Sequence, residues 1–138
     1  MKAISLWQPW AYAMVAGIKK NETRSWSTNY RGQLLIHAAK AFPATARDFA
    51  MTERALGRLP ARLPLMAIVG IVNLVDVKRT EDIVQGVSAL ERLYGDYSYG
   101  RYAWITDSFK AFDEPIPYKG SQGFFNVPDE FIKEVING

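Results

Sequence analysis

The chain has 138 residues, nearly half of them apolar, which fits one domain spanning 1–138 and excludes a disordered chain. The absence of cysteine excludes disulfides and thiolate chemistry, and a single histidine disfavours a protein-built zinc or iron site, so we predict no metal and no cofactor. The net charge of +3 is unevenly divided: residues 1–62 carry ten basic and three acidic side chains (+7), and residues 63–138 carry seven basic and eleven acidic ones (−4). This division favours a polyanionic partner over the alternative of an uneven solvated surface.

The first half of the chain alternates strand-like and helix-like segments. Pro9 suits the first turn of a helix, and Gly17 is a typical helix end. The predicted elements are a strand over 2–6, a helix over 9–17, an extended segment over 22–26, a strand over 33–38 and a helix over 43–58.

The second half is centred on residues 66–77, whose apolar character on both faces favours a central strand. The other predicted elements are a loop over 57–64, a helix over 81–93, a turn-rich loop over 95–101, strands over 102–112 and 115–119, a flexible loop over 119–123 and a helix over 128–136. This order lacks a regular βαβ alternation. It predicts an α+β fold: a small, mixed, largely antiparallel β-barrel surrounded by helices.

A short charged motif, Lys19-x-x-Glu22-x-Arg24, follows the predicted end of the first helix. Lys19 can polarise a carbonyl, hold a phosphate or act as a base, and Glu22 can pair with it or accept a proton from a base amino group. Arg24 can clamp a phosphate or stack on a ring. The same spacing is also typical of a surface ion-pair cluster that contributes little to stability.

Tryptophans surround this motif, and large aromatic faces beside fixed donors suit a planar, polar ligand such as a nucleobase. Trp26 lies two residues from Arg24 in an extended segment, so it is predicted to share a face with Arg24 and Glu22 and to contact the ligand. We expect Trp104 to be core, and Trp7 and Trp10 to anchor the first strand and helix.

Two further polar positions are candidates for the site. His37 alternates with apolar neighbours on a predicted strand, where a buried, hydrogen-bonded histidine competes with a catalytic one. Ser121 lies in a glycine-containing loop that permits close backbone approach to a ligand. The sequence has no Ser-His-Asp spacing, nucleophile elbow, Walker loop or dinucleotide fingerprint.

Several motifs together resemble the ASCH family, the domains named for homology to activating signal cointegrator 1. The resemblance is densest in Ser5-Leu6-Trp7-Gln8-Pro9-Trp10-Ala11, Gly17-Ile18-Lys19-x-x-Glu22-x-Arg24-Ser25-Trp26, Tyr30-Arg31-Gly32 and Ile36-His37-Ala38-Ala39. It continues more loosely through residues 67–77, 100–104 and 119–123, and so spans nearly the whole chain.

The resemblance implies a PUA-like barrel with a cleft bordered by the G-x-K-x-x-E-x-R motif, and recognition of nucleic acid or a modified nucleoside. Some small bacterial members are amidohydrolases acting on N4-acetylcytidine through a lysine, a threonine and a glutamate, and others are described as ribonucleases. Lys19 falls at the position of that lysine, whereas Glu22 stands where those enzymes have threonine.

Two functions follow as expectations. The first is a nucleic-acid (RNA) or modified-nucleoside binding domain, whose predicted binding residues are Gln8, Trp10, Lys19, Glu22, Arg24, Trp26, Arg31, His37 and Lys40. The second is a metal-free hydrolase, of the N4-acetylcytidine amidohydrolase or ribonuclease type, with Lys19, Glu22 and Ser121 as candidate catalytic residues. A protein-interaction adaptor is a third alternative.

The sequence also predicts the setting of the protein. The first residues lack the apolar run of a signal peptide, and the longest apolar stretch, residues 67–75, is far shorter than a membrane span. We therefore expect a cytoplasmic monomer or weak dimer whose partner is RNA or a nucleotide and not a membrane.

Overall fold

The computed structural model describes residues 1–133 and 135, and its strands and helices interleave along the chain. The strands are β1 (Lys2–Leu6), β2 (Asn21–Arg24), β3 (Gly32–Ala38), β4 (Ala67–Arg79), β5 (Tyr102–Pro117) and β6 (Phe124–Asn126). The helices are α1 (Trp10–Val15), α2 (Ala44–Ala55), α3 (Thr80–Ile83) and α4 (Ala89–Leu93), with short 3-10 turns at Val84–Gly86 and Asp129–Phe131.

The six strands form one curled, half-barrel sheet in the order β2-β5-β4-β3-β1-β6. Neighbouring strands are antiparallel except for β1 and β3, which run parallel with Ala3 opposite Leu35. The predicted α+β class and largely antiparallel sheet are therefore confirmed. The predicted central strand is also confirmed, because β4 lies between β5 and β3.

Helix α1 packs against the sheet over a position where β4 has no side chain. Its Met14 and Val15 join a buried cluster that includes Ile36 of β3 and Trp104 of β5. A Cβ at Gly70 would lie 2.6 Å from Val15 Cγ1 and 2.3 Å from the Lys110 carbonyl oxygen. Glycine at this position of β4 thus lets α1 approach the sheet, and α1 leads directly into the charged motif.

The structure differs from the predicted elements in three places. The helix predicted over 81–93 is divided into α3, a 3-10 turn and α4, and Ser88 caps α4 by accepting a hydrogen bond from the Glu91 backbone N–H at 3.1 Å. The two strands predicted over 102–112 and 115–119 form one continuous strand, β5, which pairs with β4 through register shifts.

The third difference concerns the end of the chain. Strand β6 was not predicted, because three residues are too few to show alternation, yet it pairs with β1 at Ala3–Phe125. The helix predicted over 128–136 begins as a 3-10 turn, Asp129–Phe131. Glu134 and Ile136 of that prediction lie outside the described residues.

Candidate functional site

Two adjoining clefts open beside the ends of β1 and β2. The first cleft has a volume of about 590 Å³, and its lining includes Trp10, Lys19, Glu22, Tyr94, Asp96 and Arg101. The second cleft, of about 840 Å³, has a lining that includes His37, Lys40, Met66, Lys119, Gly120 and Ser121. Four residues border both clefts and form a shared wall: Ser5, Trp7, Arg24 and Trp26.

Lys19 reaches the first cleft because the chain turns sharply after α1. Gly17 adopts a φ of +78°, and the backbone N–H groups of Ile18 and Lys19 both donate to the Ala13 carbonyl. The Lys19 side chain is only 2% exposed. Its ammonium donates to Glu22 Oε1 at 3.0 Å and to the Tyr94 carbonyl at 3.1 Å. Because an ammonium has three N–H donors, one remains for a ligand.

Strand β2 places Glu22 and Arg24 on one face, since Asn21 and Thr23 are buried on the other. Glu22 Oε2 lies 3.1 Å from Arg24 Nε at ion-pair distance, although this contact lacks hydrogen-bond alignment. Arg24 Nη2 donates to the Ser5 carbonyl at 2.8 Å. The carboxylate thus stands between two cations in a row, which we call the Lys19–Glu22–Arg24 ladder.

A hydrogen-bond network centred on the buried Glu53 of α2 holds Tyr94, whose carbonyl accepts from Lys19. The Tyr94 hydroxyl donates to Glu53 Oε1 at 2.7 Å, and Arg58 donates to both oxygens of the same carboxylate at 2.7 and 3.1 Å. The Arg58 hydrogen bond lowers the pKa of Glu53, and burial raises the pKa of Tyr94. Tyr94 is thereby fixed at its ring while its carbonyl holds Lys19.

The tryptophans differ in how much surface they offer. Trp104 is fully buried, which confirms its predicted core position, and Trp26 packs edge-on against it at 4.7 Å between ring centroids. Trp10 stacks on Phe49 at 5.4 Å. The expectation that Trp7 is an anchor was wrong: Trp7 follows the last residue of β1, the buried Leu6, and is itself 50% exposed.

His37 lies at the inner side of the second cleft, where it is 2% exposed. Its Nε2 lies 2.6 Å from the Tyr118 carbonyl oxygen and its Nδ1 lies 2.7 Å from Ser5 Oγ. Since a carbonyl only accepts, Nε2 carries the hydrogen and Nδ1 accepts from the serine. Burial lowers the pKa of His37, partly offset by the bond to Tyr118. These contacts are those of a buried, neutral, hydrogen-bonded histidine.

The loop that follows β5 closes tightly over this ring. A Cβ at Gly120 would lie 2.4 Å from His37 Cε1, so the backbone touches the imidazole. Lys119 and Ser121, on either side of Gly120, are exposed and border the second cleft. Lys40 is also exposed and borders the same cleft.

The structure leaves two predicted binding residues outside both linings. Gln8 is fully buried, donating to the Pro64 carbonyl and accepting from the Tyr12 backbone N–H, each at 2.9 Å. Arg31 donates to carbonyls of its own turn and lies 3.6 Å from Asp76. Of the other predicted residues, Trp10, Lys19 and Glu22 border the first cleft, His37, Lys40 and Ser121 border the second, and Arg24 and Trp26 border both.

Sequence reasoning missed several residues of the clefts. Trp7 was expected to anchor the first strand, yet it lies 50% exposed between the two clefts. The other missed residues, Tyr94, Asp96 and Arg101, lie in or beside the turn-rich loop over 95–101. No local sequence pattern indicates that this loop packs against β2. Arg101 reaches β2 by donating to the Thr23 carbonyl at 3.1 Å.

Within residues 1–133 and 135, no three His, Asp or Glu side chains lie close enough to hold a metal ion. No helix in that same part of the chain is long and apolar enough to cross a membrane.

Known proteins resemble this chain in both fold and sequence. The crystal structure of ASCH from Zymomonas mobilis superposes with a TM-score of 0.61 at 15% identity, covering 99% of this chain and 93% of that one. A crystal structure of a single-residue variant of the same protein gives 0.61 at 16% identity, covering 99% and 96%. At these identities the likeness shows the fold alone.

Sequence relatives add the family. Activating signal cointegrator 1 of Homo sapiens is 38% identical over 79 residues, and that of Mus musculus is 37% identical over the same length. Each match covers 53% of this chain and 14% of the relative, so the chain spans a small part of those proteins. The family model for the ASCH domain matches residues 4–119. The resemblance seen in the motifs is thereby confirmed, and the chain belongs to the ASCH domain family.

Proposed function

We propose that the first cleft binds one base of a single-stranded nucleic acid, RNA in the first instance, or of a modified nucleoside. The observation that carries this proposal is the Lys19–Glu22–Arg24 ladder held at the wall of a cleft beside exposed aromatic surface. The volume of the first cleft, about 590 Å³, lies within the range of small-molecule sites.

The ladder offers a donor beside an acceptor. The third N–H of Lys19 would donate to a base carbonyl, while Glu22 would accept from an adjacent amino or imino group. Trp7, with half of its surface free, would provide the stacking face. A base edge with a carbonyl beside an amino or imino group matches this arrangement.

Base preference is the measurement that tests the proposal. Labelled homo-oligomers of the four ribonucleotides would be titrated at low salt and followed by fluorescence anisotropy. We expect the wild type to prefer one base, and Glu22→Gln, which keeps the shape but removes the acceptor charge, to reduce that preference about tenfold. Glu114→Gln, an exposed glutamate on β5, is the matched control. No affinity for any oligomer, or an unchanged preference in Glu22→Gln, would overturn the proposal.

A second candidate function is hydrolysis at the same cleft. It is favoured by the burial of Lys19 and its direct pairing with Glu22 at the cleft wall. Held between a carboxylate and a carbonyl, the ammonium would polarise a substrate carbonyl or phosphoryl group, and Glu22 would accept a proton. Ser121 borders the second cleft instead and would act only on a group reaching across the shared wall.

Incubation with N4-acetylcytidine and with single-stranded RNA would test the hydrolase. Turnover that disappears in Lys19→Met and persists in Lys110→Met, an exposed lysine on β5, would establish it. Equal turnover in both variants would exclude Lys19 chemistry.

The expectation of a single-domain, cytoplasmic monomer or weak dimer stays a prediction.

A further inference from the structure

The two clefts differ in how their charges are neutralised. The first cleft contains Glu22 and Asp96 beside its cations, and both carboxylates lie at ion-pair distance from them. Among the residues that the structure describes, the second cleft is lined by Arg24, Lys40 and Lys119 and by no acidic side chain. An anion entering the pair of clefts is therefore attracted to the second.

Lys40 and Lys119 are the cations available to such an anion. Both are exposed, and among the described residues neither forms an ion pair with a carboxylate. Arg24, in the shared wall, is already engaged by Glu22 and by the Ser5 carbonyl. Lysine ammonium groups are compact point charges that suit phosphate contacts without base specificity.

The loop that carries Lys119 is anchored to the sheet. Contact between Gly120 and the His37 ring leaves no room for a side chain, and Gly123 adopts a φ of +65°. Ser121 and Gln122 lie between these two points and border the cleft, where they add hydrogen-bond donors beside Lys119. The second cleft thus has a polar and basic rim on the side of this loop.

We propose that the second cleft holds the phosphodiester and the nucleotide adjoining the base in the first cleft. The inference rests on the proposed function and names its ligand: a strand of at least two nucleotides, with the linkage crossing the wall at Trp7 and Arg24. A free nucleoside fills only half of the site.

Binding should then depend on salt through two lysines. Each phosphate neutralised on a single strand adds about 0.7 to the slope of log affinity against log salt, and Lys40 and Lys119 share one phosphodiester, so losing both should reduce the slope by about 0.7. Base preference, which belongs to the first cleft, would follow Glu22 and not these lysines.

The test compares three proteins by isothermal titration calorimetry: the wild type, the double variant Lys40→Ala with Lys119→Ala, and a matched control. The control is the double variant Lys78→Ala with Lys110→Ala, whose positions are exposed on β4 and β5 and lie outside both clefts. The probes are the four ribonucleosides, their 3′- and 5′-monophosphates and the homodinucleotides. We expect the dinucleotide to bind at least tenfold more tightly than its nucleoside in wild type and matched control. That ratio should fall to about one in the Lys40/Lys119 variant.

The outcomes separate this inference from the function on which it rests. If a nucleoside binds as tightly as its dinucleotide, or if both double variants keep the same ratio, the second cleft does not hold the phosphodiester, while base binding in the first cleft stands. If neither nucleosides nor dinucleotides bind, the proposed function fails and this inference fails with it. A tighter 3′- or 5′-monophosphate identifies the direction in which the strand crosses the wall.

Discussion

Tyr94 connects the site to the core through two atoms on opposite sides of the residue. Its carbonyl accepts from Lys19 and its hydroxyl donates to Glu53, which is 1% exposed. Lys19 and Glu22 could be chosen from their spacing in the sequence. Tyr94 could not, because it lies 75 residues from Lys19 and its role depends on a backbone atom.

Removing the Tyr94 hydroxyl should weaken the fold without removing the carbonyl that holds Lys19. We expect Tyr94→Phe to lower the free energy of unfolding by about 1.5 kcal/mol, the low end for a hydrogen bond to a charged acceptor, because Glu53 keeps Arg58. Urea denaturation would measure this change. Tyr99→Phe is the control, since Tyr99 is 84% exposed. Equal stability of the two variants would contradict the prediction.

His37 should make stability depend on pH near neutrality. Burial lowers its folded pKa below the usual 6.5, so the unfolded chain binds more protons once the pH falls below that value. The contribution is complete above pH 6.5 and is lost as the pH falls toward the folded pKa. Glu53, Glu81 and Asp96, whose pKa values are also lowered, act only in the acid range below about pH 4.5.

Because His37 is the only histidine, the proton on its Cε1 gives one assignable resonance in a proton NMR titration. We expect a midpoint below 6.5 and a urea midpoint that is higher at pH 7.5 than at pH 5.5. An NMR midpoint at or above 6.5 would refute the assignment of a neutral histidine between Ser5 and Tyr118.

Among the elements, the packing of α1 on β4 fixes where the charged motif begins. The long strands were predictable, because residues 66–77 and 102–112 are rich in β-branched and aromatic side chains. Two signals in the sequence mark the division of the helix over 81–93: Gly86, and the Ser88-x-x-Glu91 cap at the start of α4. A prediction from helical spacing alone does not use either signal. Pairing between distant strands, such as β1 with β6, has no local signal.

A methyl group at Gly70 should separate α1 from β4. The added Cβ would meet the Lys110 carbonyl at 2.3 Å, and a backbone atom cannot rotate away. We expect Gly70→Ala to cost about 3 kcal/mol, at the upper end for overpacking. Gly86→Ala, where no atom lies within 4 Å of the added Cβ, is the control. Thermal unfolding followed by circular dichroism would compare them, and similar melting temperatures would refute the packing argument.

At the scale of the whole molecule, the half-barrel and its core include residues beyond the matched family region. The family model ends at residue 119, whereas β6 and the buried Val127 and Ile132 follow it. The uneven charge predicted an anionic partner, yet the second cleft takes Lys119 from the acidic half of the chain as well as Lys40 from the basic half. Composition therefore indicated a type of partner and not the location of its site.

Truncation after residue 119 should remove cooperative folding. Val127 and Ile132 are each 1% exposed, and losing both would cost about 3–6 kcal/mol, a large share of the roughly 5–15 kcal/mol that stabilises a typical domain. We expect the shortened chain to lose its sharp urea transition. Phe131→Ala in the full chain, at a position 52% exposed, should keep it. A sharp transition in the truncated protein would show that β6 is dispensable.

The exposed indole of Trp7 gives the protein a built-in optical reporter. Trp104 is sealed in the core, while Trp7 faces solvent at the wall between the two clefts. Iodide should therefore quench Trp7 more than the half-buried Trp10 and Trp26 and leave Trp104 unquenched, and a ligand lying across the wall should shield Trp7 and shift the emission maximum to shorter wavelength. Occupancy could then be followed on unlabelled protein, with Trp7→Phe identifying the signal.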